Sequence, residues 1–311
     1  LSYLKNFCKS TPLPEKVSHK SEFHVILSLD LCRKHGGAGR ERKTGAIEEG
    51  SSTMAMIEDY RSALRAGQRA YRACVARGQS PYLAVLDDIL NGVNIVAQEP
   101  LGLGDIPAES IVGTKTSGRH TAFAANFMPL LEEDTEFAIK WSNLCEAHLE
   151  EGIHTPIIAY EYLNKFYVQE GNKRVSVLKY YGAVTIPGTV TRLVPARNDT
   201  LENKIYYEFL DFYKLSKINN VQFSRLGGYA KLQTLVCKAA SEVWSDDDRL
   251  NFSALYTMFS QQFYALGGSA LELTPGDALL VYLSVYRYSD ACQSTPSQVR
   301  ENLAKLWDEN N

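Results

Sequence analysis

Five consecutive residues, Glu170-Gly-Asn-Lys-Arg174, bring together a carboxylate, a residue without a Cβ, a carboxamide and two cations. Glycine allows backbone turns that other residues avoid, and it lets a ligand come close to the chain. The stretch that follows, Val175–Gly182, has a helical pattern, so Asn172 stands where a helix N-cap is expected. The first amides of a helix have no partner within it, and its dipole puts positive charge at that end. Those amides with Gly171, Lys173 and Arg174 read as a cradle for a phosphate. The same residues equally suit an ordinary strand-to-helix turn with two solvated charges, because short glycine motifs recur by chance.

The elements that must position this turn are legible on either side. Pro156–Tyr162 reads as a strand, Asn164-Lys165 as a turn, and Phe166–Gln169 as the returning strand. Leu131–Glu150 reads as an amphipathic helix with Phe137, Trp141, Leu144 and His148 on one stripe. Thr185–Val194 closes the unit as a strand after Gly182 caps the helix. Upstream, Leu101–Val112 reads as a short strand and turn, followed by a polar loop, Gly113–Thr121, with one lysine, one arginine and one histidine. Residues 54–98 predict a helical hairpin: a long helix with Ile57, Tyr60, Leu64, Tyr71 and Val75 inward, then a second helix over Tyr82–Leu90. Asn91–Pro100 reads as a linker. Residues 1–53 differ from the rest, and their glycine-rich basic loop lacks the strand, helix and GK[ST] sequence of a nucleotide loop. They read as a disordered or non-native leader. Residues 196–311 read as mostly helical, with an aromatic run, Ile205–Tyr213, that suits a core better than a stacking platform.

Composition narrows the function classes. The chain has 311 residues, 45% hydrophobic and 22% charged, the balance of a folded protein of one or two domains. Its net charge of −3 is poor support for direct DNA binding, which draws on phosphate neutralisation. The six cysteines are scattered without a CxxC pair, and the histidines form no HxxxH spacing, so no metal site or disulfide framework is expected. No run has the length of a membrane span and the N-terminus lacks a signal-peptide layout, so the expected compartment is the cytoplasm.

Taken in order, five pieces resemble the ParB/sulfiredoxin-like domain found at the N-terminus of partition ParB proteins. They are Ile106-Pro107 with Ile111, Ser117-Gly-Arg119, Gly152 with Pro156-Ile157, Gly171-Asn-Lys-Arg174, and Gly182-Ala-Val-Thr-Ile-Pro187. The likeness covers residues 101–195, about one-third of the chain. It implies an α+β fold: a small mixed-sheet domain flanked by the N-terminal hairpin and the C-terminal helices. It also implies a nucleotide ligand, CTP or ATP, with or without Mg. The phosphates would rest on Gly171, Asn172, Lys173 and Arg174. Thr116, Ser117, Gly118 and Arg119 would supply a second cationic contact from across the site. His120 could join them or be a loop histidine without a role.

Departures from the family limit the chemistry. Asn172 stands where sulfiredoxins carry their cysteine and partition CTPases their glutamate, so neither the thiol nor that carboxylate is present. Glu170, one residue earlier, is the remaining candidate for a base in an NTPase, nuclease or phosphotransferase. The expected function is therefore a nucleotide-responsive regulatory or interaction module, with that enzyme class and a ligandless adaptor as alternatives. The C-terminal helices include no basic recognition helix. A partner is then a protein, or a domain beyond this sequence, as in longer basic-membrane-protein type substrate-binding proteins, which the chain resembles more distantly.

Overall fold

The computed structural model describes residues 49–271 and 273–308. The expected leader falls outside them as far as residue 48, together with its glycine-rich loop. From Ser52 onward the chain forms one compact unit. Its architecture is α+β, a mixed six-stranded sheet flanked by helices.

The first helix, α1 (Glu49–Ala76), starts ahead of Met54. Its buried face is Tyr60, Ala63, Leu64, Gly67 and Cys74, the three-to-four spacing of an inward stripe, while Val75 is exposed. Gly67 is there because the helix lies against the chain at Pro129. A Cβ at this position would stand 2.2 Å from the Pro129 carbonyl oxygen.

The hairpin partner expected over Tyr82–Leu90 is not a helix of that length. Tyr82 bridges Ala124, Ala84–Val85 form a two-residue strand β1, and only Leu86–Ile89 turn as α2. Leu83 and Val85 point inward with Ala84 outward between them, a period of two that the short apolar run hid. Ile95–Pro100 of the expected linker are likewise the first half of a thirteen-residue strand, β2 (Ile95–Pro107). Pro100 is tolerated within it because β2 is an edge strand, where a missing ladder donor is harmless.

A 3₁₀ turn, Ala108–Ser110, leads to β3 (Ile111–Thr114), and a second 3₁₀ segment spans Ser117–Ala122. Helix α3 (Glu136–Glu150) starts later than the hydrophobic pattern suggested, because the Thr135 hydroxyl caps it by accepting the Ala138 N–H. Strands β4 (Ile157–Tyr162) and β5 (Lys165–Glu170) form a hairpin through Leu163 and Asn164, both at positive φ. Helix α4 (Asn172–Tyr180) and strand β6 (Thr185–Pro195) complete this region.

The strand order is β1-β3-β5-β4-β6-β2. β3 runs parallel to β1 and β5, β4 is antiparallel to β5 and parallel to β6, and β6 is antiparallel to β2. One core joins α1, α3 and α4 to Ile157, Ala159, Phe166, Val168, Ile186 and Val190 of the sheet.

The second core is helical and aromatic. It is built from α5 (Leu201–Ser216), α6 (Gly228–Leu235), α7 (Asp246–Ala265), α8 (Pro275–Val285), α9 (Tyr288–Cys292) and α10 (Pro296–Asp308). Tyr206, Phe209 and Phe212 of the aromatic run are buried in it. Capping boxes open α7 (Ser245 with Asp248) and α8 (Thr274 with Asp277). This core is tied to the sheet by a polar junction. Glu161 of β4 and Arg192 of β6 form an ion pair with side chains only 1% and 2% exposed. The Tyr206 hydroxyl of α5 donates to Glu161 at 3.1 Å, and the Asn164 amide donates to the other carboxylate oxygen at 2.7 Å. The Arg192 guanidinium lies 4.5 Å from the Tyr213 ring centroid.

Candidate anion site

Strand β5 ends at Glu170, and Gly171 takes φ +109° as the N-cap of α4. That region of backbone space favours glycine, and here the space is also closed. A Cβ on Gly171 would stand 2.8 Å from the Ile157 Cγ2 atom. Asn172 is therefore the first helical residue and not the expected cap. Its Nδ2 donates to the Thr114 hydroxyl at 3.1 Å, and that hydroxyl donates to the Val168 carbonyl at 3.0 Å. The Asn172 Oδ1 atom is buried without a partner among the described residues. No side chain caps the opening amides of α4, so their donors remain available.

The two cations that follow have separate fates. Arg174, expected to hold phosphate, is used structurally. Its guanidinium donates to the Thr155 carbonyl at 2.8 Å, to the Pro156 carbonyl, and to Glu170 at 3.2 Å. Its side chain is 13% exposed. The fork geometry of a guanidinium suits this task of fastening the loop before β4 to the start of α4. Glu170, the candidate base, is the acid end of that clamp.

Lys173 instead joins a cationic group. Its Nζ lies 4.8 Å from the Phe137 ring centroid. Burial pushes the ammonium below the usual lysine range, and the charges of Arg119 and Lys140 push it further, opposed by Glu136. Glu136 feels the same neighbours from the other side. Its carboxyl is held below the ordinary range, first by Lys140 and then by Lys173 and Arg119. Three separate segments, α4, the 3₁₀ segment and α3, thus bring three cations and one acid within electrostatic reach. Arg119 and Lys173 were singled out in the sequence. Lys140 was not, because with Glu136 it has the spacing of an ordinary helix-surface pair.

The remaining loop candidates surround Arg119. Thr116, Ser117 and Gly118 are exposed, and Arg119 is exposed with a non-helical backbone that breaks the 3₁₀ segment. His120 turns elsewhere. Its Nδ1 is 2.7 Å from the Ser117 carbonyl, which requires the proton on that nitrogen, and its ring meets Tyr82 edge-on at 5.9 Å.

The Glu161–Arg192–Tyr206 junction was not anticipated at all. Its members come from three elements, and nothing local marks any of them as buried. Burial pushes the Glu161 carboxyl upward against the pull of Arg192. Among the described residues no group of three or more His, Cys, Asp or Glu side chains is placed to hold a metal ion. No helix among them is long and apolar enough to cross a membrane. Compared with known proteins, the chain matches no protein-family model and no curated protein sequence.

Proposed function

We propose that the protein is an anion-binding module whose ligand is the phosphate chain of a nucleotide, CTP or ATP, with or without Mg. The observation that supports this most directly is that Arg119 and Lys140, the latter paired with Glu136, both act on Lys173 near the open amides of α4. Like charges gathered with a single acid among them repel, and a bound polyanion relieves that repulsion. In this reading Arg119 and Lys173 contact phosphate, α4 supplies amide donors, and Arg174 holds the turn that presents them. Glu170, paired with Arg174, has no free role as a base, so occupancy and not turnover is the output. The Tyr180 and Tyr181 hydroxyls at the far end of α4 both donate to Asp59 of α1, at 3.1 and 3.0 Å, which gives occupancy a path to that helix.

The test is a titration of labelled CTP and ATP, with and without magnesium, into wild type, Lys173→Ala and Arg119→Ala. Binding to wild type that falls at least about tenfold in each variant is expected, the loss of one charge-assisted contact. Absence of binding to the wild type would leave an adaptor without a ligand. Hydrolysis that disappears in Glu170→Gln would make the protein an enzyme instead.

A further inference from the structure

A seam runs where the β4–β5 turn meets the loop that follows α5. Two cavities, about 360 and 350 Å³, lie along it and share Asn164, Lys165 and Gln222 as walls. Clefts of this size between packed layers are where proteins commonly hold small molecules. Gln222 bridges the seam, its Nε2 donating to the Asn164 carbonyl at 3.1 Å. Asn164 is also fixed at its N–H, which donates to the buried Glu161 carboxylate at 2.7 Å. Its φ of +61° is the left-handed conformation that a two-residue hairpin turn requires. The side chain of Asn164 is not satisfied in this way: its Oδ1 is buried without a partner among the described residues. An unpaired buried acceptor is destabilising, so a donor that draws this carboxamide into the cavity completes it.

The described charges along the seam are already matched. Lys165 pairs with Glu202 at 2.9 Å beside the first cavity, and beside the second the Tyr264 hydroxyl donates to Glu109. What is left for a guest is neutral and two-sided: the carboxamides of Asn164, Asn220 and Gln222, each of which can donate and accept. Apolar walls stand beside them, Phe223 and Ile205 in the first cavity and Tyr256 and Leu273 in the second.

We infer that this seam is a binding site for an uncharged saccharide, a hexose or a disaccharide of hexoses. A sugar hydroxyl donates and accepts, so two neighbouring hydroxyls can pair with the oxygen and the nitrogen of one carboxamide. The C–H face of the ring suits the apolar walls. A charged guest would have to break the Lys165–Glu202 pair or leave its own charge unmatched, and both are unfavourable. None of the residues proposed to hold phosphate takes part, so the two sites stand or fall separately.

The test is a saturation-transfer NMR titration of the full chain with glucose, galactose, maltose and lactose, and with glucuronate and glucosamine as charged relatives. At least one neutral sugar is expected to bind with a Kd of about 1 mM or below, and both charged relatives about tenfold more weakly or worse. Asn164→Gly keeps the left-handed turn while removing the carboxamide, and Asn220→Ala removes a second one. Each is expected to raise the Kd about three- to tenfold, the loss of a neutral hydrogen bond. Should Asn164→Gly lose the native circular dichroism, Asn220→Ala decides alone. No transfer to any of the four neutral sugars up to about 10 mM would overturn the proposal. So would a charged relative that binds as tightly as the best neutral sugar, or an affinity unmoved in a folded variant.

Discussion

Truncating the two neighbouring cations of α4 should have opposite consequences. Arg174→Ala removes two charge-assisted hydrogen bonds, to the Thr155 and Pro156 carbonyls, and an ion pair with Glu170. Bonds to charged groups are worth about 1.5–3 kcal/mol each. The two carbonyls are within reach of water once the side chain is gone, so the lower end of that range applies. The pair with Glu170, whose side chain is 66% exposed, adds at most about 1 kcal/mol. The expected loss is therefore about 3 kcal/mol. Lys173→Ala gives up a contact with the Phe137 ring, about 0.5–1 kcal/mol, and the attraction of Glu136, and it relieves repulsion from Arg119 and Lys140. Its stability should stay within about 0.5 kcal/mol of wild type. Urea unfolding followed by the fluorescence of buried Trp141 reads both values. The same assay reads binding. A nucleotide at about 100 times its Kd stabilises by about 2.7 kcal/mol, and this increment should persist in Arg174→Ala and fall to about 1.4 kcal/mol or less in Lys173→Ala, where the same concentration is only about ten times Kd. An Arg174→Ala protein as stable as wild type, or a Lys173→Ala protein that keeps the full increment, would refute the division of labour between them.

Glu161→Gln leaves the Arg192 charge buried without its counter-ion and should cost about 3–5 kcal/mol in the same unfolding assay. Adding Arg192→Met should recover part of that, and strict additivity of the two losses would show that the pair does not act as a unit. Ser176→Ala strands the Trp141 indole N–H, which donates to the Ser176 hydroxyl at 2.8 Å inside the core, for an expected loss of about 1–3 kcal/mol and a changed Trp141 emission. Asp248, bonded to Lys238 and to the Ser245 cap, has its carboxyl lowered from 3.8 to about 2. Its contribution is therefore complete above pH 3.8 and lost as pH falls towards 2, so Asp248→Asn should flatten the acid limb of the stability curve in that window.

The elements that could be read from the sequence are those whose cause is local. The capping boxes Ser245/Asp248 and Thr274/Asp277 satisfy their own helix amides, and each lies within four residues. The β4–β5 hairpin is legible too, with its turn at Leu163 and Asn164, one residue earlier than the expected Asn164-Lys165. Strand β2 has no such signal. Its residues are mostly exposed, it carries Pro100, Gly102 and Gly104, and its order comes from main-chain pairing with β6 from Ile95 to Pro107. Its first half looked like a linker and only its second half like a strand, because the partner that extends it lies about ninety residues away. The Tyr82–Leu90 segment failed for a related reason: four apolar residues do not distinguish a period of two from one of 3.6 until Ala124 and β3 supply the neighbours.

The site divides along the same line. Sequence could place two cations at the start of a helix, but successive helical residues point about 100° apart, so it could not say whether Lys173 and Arg174 turn to the same side. Which of them is free to face the proposed ligand depends on what lies beside each. The loop entering β4 presents two carbonyls, Thr155 and Pro156, close together, and a guanidinium can satisfy both while still reaching Glu170. An ammonium in its place lacks the fork to do so. That leaves Lys173 on the side of α3, where Lys140 and Arg119 arrive from elsewhere in the chain. The assignment thus follows from the shape of the two head groups meeting a pair of carbonyls nearly twenty residues upstream. It could not have been made from the charges alone, because the charges are the same.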